Sequence, residues 1–199
     1  MKISFLVSFF VIAAAVSNAV PRTGQFAAKV TNNTPAGGFQ PDTGFDRETS
    51  RIVVLDGNSL TFTAYLKNGR TDPSNLFAIR FAQFSSTNTF LGDVEIHAGA
   101  AIPATYTAFT HTFTPAAGTA RLNLSFRLGT GGSSAIIDDI SVLDTTAGNV
   151  ERLSNGGLET WPDPAPAAPT DWRFFSVGSA SGTLEKVVAT ASAQDWALY

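Results

Sequence analysis

The chain has 199 residues, enough for one well-packed domain or for one domain with part of a second. Hydrophobic residues are 44% and charged residues 15%, and 16 Phe beside 3 Trp and 3 Tyr favour β-structure over charged surface helices or disorder. A net charge of −3 with no run of Lys or Arg excludes the basic footprint that nucleic acid requires, and the absence of cysteine excludes disulfides, thiol chemistry and Cys-based zinc sites.

In chain order, Lys2, the apolar "ISFLVSFFVIAAAV" and Ser17-Asn18-Ala19 read as a signal peptide over residues 1–19. The apolar run is shorter than the roughly 20 residues that cross a bilayer, so the expectation is a secreted, extracellular protein that leaves the membrane on cleavage. Beyond Ala19 no window of helical length carries a 3.6-residue apolar stripe, whereas alternating runs recur between turn residues. "QFAAKVT" is the first strand candidate. In "LTFTAYLK", Leu60, Phe62, Ala64 and Leu66 share one face, and Thr61, Thr63, Tyr65 and Lys67 the other. "LFAIRFAQF" sets Phe77, Ile79 and Phe81 opposite Arg80 and Phe84. "GDVEIH" and "YTAFTHTFT" follow. "ARLNLSFRL" sets Leu122, Leu124, Phe126 and Leu128 against Arg121, Asn123, Ser125 and Arg127. "AIIDDISVL" closes the series, and "NGRTDPSN", "TPAAGT" and "GTGGSS" suit turns. The pattern predicts an all-β, two-sheet antiparallel sandwich.

If "AIIDDISV" is one regular strand, Ile136, Asp138, Ile140 and Val142 share a face, which puts a carboxylate on an apolar row. A buried charge needs a partner. Asp138 then either lies at a sheet rim and accepts backbone hydrogen bonds, is turned outward by a bulge, or binds a cation.

Three segments, "DGNSLTFTAYLKNG", "YTAFTHTFTPAAGTARLNLSFRL" and "SSAIIDDISVLD", together resemble the carbohydrate-binding modules of the galactose-binding-like jelly-roll class, particularly families 4, 9 and 22, over roughly residues 50–144. The resemblance implies a domain that starts with an Asn-Gly-Gly-Phe-Glu-like segment and a Pro-rich loop ending in Trp, and finishes on an Ile-Asp-Asp-Val-like strand. Here "NGGLETW" with "PTDW" supplies the start and "IIDDISV" the finish, in reversed order. Residues 20–149 are therefore expected to form the sandwich body. Residues 150–199 carry the opening strands of a module, expected to pack on that body and complete a permuted sandwich; the competing reading is a truncated second module. The resemblance also implies a structural calcium ion held by Asp138 and Glu159 with backbone carbonyls.

A sugar site needs an aromatic face to stack on a pyranose ring and polar groups to hold its hydroxyls. Tyr65, Arg80, Phe84, Asn123 and Arg127 are candidates for one side of a sheet, and Trp161 for either a ligand platform or packing. Trp172 corresponds to a core position in the resembling modules. His111 shares a row with Phe109 and Phe113, which favours packing over catalysis. The expected function is a secreted, non-catalytic carbohydrate-binding module. One alternative is a structural or adhesive sandwich that binds protein partners; the other is a fragment of a glycoside hydrolase, with Asp93 and Glu95 or Asp138 and Glu159 as its carboxylate pair. No G-x-S-x-G, H-E-x-x-H or phosphate-cradling loop occurs.

Overall fold

Leu60, Phe62, Ala64 and Leu66 are all inaccessible to solvent, and so are Ile79, Phe81, Leu122 and Leu124, so the alternation read above is the alternation of a packed interior. The computed structural model describes residues 21–34, 43–47, 50–70, 76–129, 132–162 and 168–189; the signal peptide expected at 1–19 lies outside the described residues. Twelve strands are described: β1 (Phe26–Asn32), β2 (Thr43–Asp46), β3 (Ile52–Val53), β4 (Leu60–Asn68), β5 (Leu76–Phe84), β6 (Phe90–Ala101), β7 (Thr107–Phe113), β8 (Arg121–Leu128), β9 (Ser134–Asp144), β10 (Val150–Glu151), β11 (Arg173–Ser176) and β12 (Gly182–Val188).

All pairings are antiparallel. The first sheet runs β12-β1-β9-β4-β7, with β10 on β9; the second runs β11-β2-β8-β5-β6, with β3 on β8. The two inner faces meet through aromatic side chains. Phe62 of the first sheet lies edge-on to Phe81 of the second at 5.5 Å between ring centroids, Phe109 edge-on to Phe77 at 5.0 Å, and Phe113 tilted against Phe81 at 5.1 Å. Full burial of a ring such as Phe62 or Phe81 contributes about 1.5–3 kcal/mol, which is how a chain without disulfides holds two layers together. His97 is half-buried between Phe77 and Phe109, at 4.5 and 5.1 Å, and burial pulls its pKa down.

Strands from the last part of the chain sit beside strands from the first. β11 pairs with β2 from Arg173↔Asp46 to Ser176↔Thr43, and β12 pairs with β1 from Phe26↔Val188 to Asn32↔Gly182. Leu153, Leu158 and Trp172 enter the same core as β4, β5 and β8, and the Trp172 ring stacks on Phe45 at 4.6 Å with planes 2° apart.

One expectation is corrected. Ile136, Asp138, Ile140 and Val142 do not share a face. The β4–β9 register slips by one residue between Thr63↔Ser141 and Tyr65↔Asp138, and Asp139 takes a positive φ of 45°. This is a β-bulge, and it reverses the alternation. Ala135 and Ile137 before it, and Ile140 and Val142 after it, face the core. Ile136 packs outside with Ala27 and Val187, and Asp138, two residues on, points to that outer side.

Candidate functional site

The outer face of the second sheet is built from residues that alternate with its core set. Register places them in rows across the strands. Phe175, Gly44, Arg127, Ala78 and Ala98 form one row, and Arg173, Asp46, Ser125, Arg80 and Glu95 the next. Asn123, Ala82 and Asp93 follow, then Val53, Arg121, Phe84 and Phe90. Ala78 to Phe84 spans six residues, about 20 Å of strand. Gly44, Ala78, Ala82 and Ser125 make a low floor between taller groups. Phe175 stands at one end, its ring so close over Gly44 that a Cβ there would lie 2.6 Å from Cζ. Phe84 stands at the other end, 5.8 Å from Phe90 and covered by the Arg51 guanidinium at 3.8 Å.

Beneath the floor lie buried polar atoms. Arg80 places Nη1 3.1 Å from Asp93 Oδ2, yet its Nε is buried with no partner among the described residues. Asn123 Oδ1 is likewise buried and unpartnered. The two residues are diagonal neighbours, since Arg80 faces Ser125 and Asn123 faces Ala82. A buried donor or acceptor without a partner is costly. At the far edge Arg173 grips Asp46 through Nε at 3.2 Å and Nη2 at 2.9 Å, which fixes β11 on β2.

Of the residues singled out in the sequence, Arg80, Phe84, Asn123 and Arg127 come together on this face. Tyr65 does not join them: β4 belongs to the first sheet, and the Tyr65 ring lies beside Asp138 under the Arg22 guanidinium at 3.5 Å. Trp161 also lies apart, donating Nε1 to the Leu158 carbonyl at 2.6 Å and packing against the core 5.6 Å from Lys186. Phe175, Gly44, Asp46, Arg173, Phe90 and Arg51 were not anticipated. Alternation in "RFFSV" could have flagged Phe175, but only tertiary pairing with β2 brings it here.

The two acids of the calcium expectation converge on one turn. Asp138 accepts the backbone N–H of Arg22 at 2.7 Å, of Thr23 at 3.3 Å and of Asp139 at 2.8 Å. Glu159 accepts Gln25 N–H at 2.9 Å and Phe26 N–H at 3.3 Å. Between them Gly24 takes a positive φ of 62°, where an added Cβ would collide with the Glu159 carboxylate. Asp138 is fully inaccessible, and burial pushes its carboxyl up to about 6 against the pull of its backbone donors. The Arg22 guanidinium is taken by Asp139. Nearby, burial first and then the charges of Asp138 and Asp139 push the Tyr106 phenol up. Among the described residues no group of three or more His, Cys, Asp or Glu is placed to hold a metal. Asp93 and Glu95, the other carboxylate pair, lie on the outer face of the second sheet, where Asp93 is engaged by Arg80.

No family model matches the sequence, and no curated protein matches it. The structure is similar to solved structures of carbohydrate-binding modules. "PbXyn10C CBM APO" aligns over 83% of this chain and 91% of its own, at 15% identity and a TM-score of 0.53. The CBM22-1 xylan-binding domain from Paenibacillus barcinonensis Xyn10C aligns over 62% and 86%, at 9% identity and 0.41. A CBM4 structure aligns over 58% and 82%, at 16% identity and 0.38. Two antiparallel sheets of six strands, matched along nearly the whole of the first of these modules, give this chain the jelly-roll β-sandwich fold of carbohydrate-binding modules.

Proposed function

We propose that the outer face of the second sheet binds a polysaccharide, and that the protein acts outside the cell as a non-catalytic binding module. The polar side chains of Arg80, Asn123 and Arg127, on a low floor between Phe175 and Phe84, carry this reading. The rings at the two ends offer apolar faces for stacking, and the polar groups between them can hold sugar hydroxyls. The fold likeness supports the reading at the level of architecture only, because a fold does not assign a ligand. Glycan-array binding with residues 20–199 tests it. Retention of at least one plant, algal or microbial polysaccharide is expected, with loss on Phe175→Ala. Silence across all three classes overturns the proposal.

A calcium ion at the turn of residues 22–26 is the second part of the proposal. Carboxylate oxygens suit a hard cation, and the turn has the fully buried Asp138 carboxylate at one end and the Glu159 carboxylate at the other. Asp138 and Glu159 would hold the ion, with backbone carbonyls filling the rest of its shell. Bound there, it would supply the positive charge that keeps Asp138 ionised and pins β1 to β9.

A further inference from the structure

We infer that the protein pairs with a second copy of itself through the open edge of β7, which continues the first sheet across a two-fold axis at Thr110. A sheet edge presents the N–H and C=O groups of alternate residues to any extended chain, and β-proteins guard it with charges, bulges or short strands. The described sheets end on four strands, β12 and β7 in the first and β11 and β6 in the second. Three of them are guarded. β6 shifts register against β5 in three places and carries Asp93 and Glu95. β11 is four residues long and holds Arg173. β12 carries Glu185 and Lys186 in succession. β7, "TAFTHTF", has none of these devices: it keeps a single register with β4 from Leu60↔Phe113 to Leu66↔Thr107 and contains no Asp, Glu, Lys, Arg or Pro. Its first six residues are all exposed or half-buried, and among the described residues no strand lies beyond it.

The strand is complementary to itself. Antiparallel pairing about Thr110 is the one register that engages all seven residues, from Thr107 against Phe113 of the second copy to Phe113 against its Thr107. On the inner side it sets Phe109, which already lies edge-on to Phe77 at 5.0 Å, opposite His111 of the second copy. On the outer side Thr110 meets Thr110. There Thr61 and Thr63 of β4 already bond Thr112 at 2.9 Å and Thr110 at 3.3 Å, so the second copy extends a hydroxyl ladder. Aromatic and threonine pairs directly opposite one another stabilise a sheet, and here no like charges oppose each other. The same pairing of β12 about its middle residue would set Glu185 against Glu185. A two-fold axis that relates neighbouring antiparallel strands of one sheet is perpendicular to that sheet, so the second sheets of both copies lie on one side. The two proposed binding faces then point the same way, and one polysaccharide surface engages both, which strengthens retention without a new contact. That consequence rests on the binding face proposed above; the pairing itself does not.

Sedimentation velocity on residues 20–199 should show a dimer forming at about 10–100 μM, the affinity of a small interface. Because the chain has no cysteine, single substitutions read the register. Thr110→Cys places two thiols opposite each other, within the Cα separation of about 4.4–6.8 Å that a disulfide spans. Mild oxidation should cross-link it at least about tenfold faster than Thr183→Cys, at an exposed position of β12. Thr110→Lys should weaken dimerisation by about tenfold or more and leave the melting temperature of the dilute monomer unchanged. Ala108→Glu, at a second exposed position of the edge, should do the same and serves if the first variant folds poorly. A parent that stays monomeric up to about 1 mM overturns the pairing. Equal cross-linking of the two cysteine variants, or a dimer that survives both charge substitutions, overturns β7 as the edge used. Failure of the binding face is read separately: a dimer silent on the glycan array keeps the pairing and loses the face, whereas a monomer that binds glycans keeps the face and loses the pairing.

Discussion

The Gly156 carbonyl accepts the Ile140 N–H at 2.9 Å, and the glycine lies so close to the Ile140 carbonyl that a Cβ at Gly156 would overlap it. The "NGG" of the opening motif and the "DDI" of the closing strand are thus two halves of one contact. Gly156→Ala should cost about 1–3 kcal/mol through forced backbone displacement. At roughly 2–4 °C per kcal/mol, that lowers the melting temperature by several degrees. Gly157→Ala is the control, because its nearest contact would be Glu159 Cγ at an ordinary 3.8 Å. Equal melting of the two variants would sink the idea.

Trp172 stacks on Phe45, lies 6.3 Å from Phe126, and donates Nε1 to the Asn155 carbonyl at 3.1 Å. Trp172→Ala should cost about 3–5 kcal/mol, combining lost transfer energy with the cavity left behind. Trp172→Phe should recover most of it while leaving the Asn155 carbonyl only the Leu158 N–H, at 3.2 Å. Urea denaturation of the three proteins checks the order, and an alanine variant within about 1 kcal/mol of the parent would contradict the packing described.

Asp144 is inaccessible and accepts hydrogen bonds from Asn58 at 2.8 Å, from Arg152 and from the Ala147 N–H; these bonds, Asn58 first, hold its carboxyl below the usual carboxylate range. A depressed folded value contributes stability that is complete above the unfolded value of about 3.9 and is lost as pH falls through the folded one. Asp171, bonded to the Ser154 hydroxyl at 2.6 Å, acts with the same sign. The stability that these two carboxylates supply should therefore be complete near neutrality and be lost below about pH 4, while Asp138, pushed up to about 6, acts with the opposite sign between about pH 4 and about pH 6. Asp144→Asn should melt lower at neutral pH and lose less on acidification. Parallel acid limbs for parent and variant would refute the assignment.

For the sheet face, Phe175→Ala and Phe84→Ala should each weaken polysaccharide binding by about tenfold or more, equivalent to about 1.4 kcal/mol. Neither ring belongs to the inner core, so circular dichroism should be unchanged. Tyr65→Ala, on the other sheet, should bind as the parent does. A binding loss confined to Tyr65→Ala would move the site to the first sheet.

Calcium should raise the melting temperature of the parent by mass action and leave that of Asp138→Asn and Glu159→Gln unmoved. Chelator should reverse the shift. A parent protein indifferent to millimolar-range calcium argues against the ion.

The interior was legible wherever strands alternate for eight residues or more, as in β4, β5 and β8, because one face there is uniformly apolar. Arg80, Phe84, Asn123 and Arg127 were grouped because alternation alone puts each on the polar side, and β5 then pairs with β8. Tyr65 was grouped with them because alternation does not reveal which sheet a strand joins. The bulge at Asp139 was one of several readings of "IIDDIS", since a positive φ at an aspartate leaves no periodic trace. β2 and β3, of four and two residues, are too short to alternate, and with them Gly44, Asp46 and Arg51 escaped notice.

β12 closes on β1 from the far end of the chain, with Lys29 and Glu185 paired at a separation of 156. Such pairing raises contact order and slows folding. A nascent chain also carries two unguarded flanks, β1 in one layer and β2 in the other, until the ribosome has delivered β11 and β12. Chaperones or neighbouring copies would meet the protein at those flanks first.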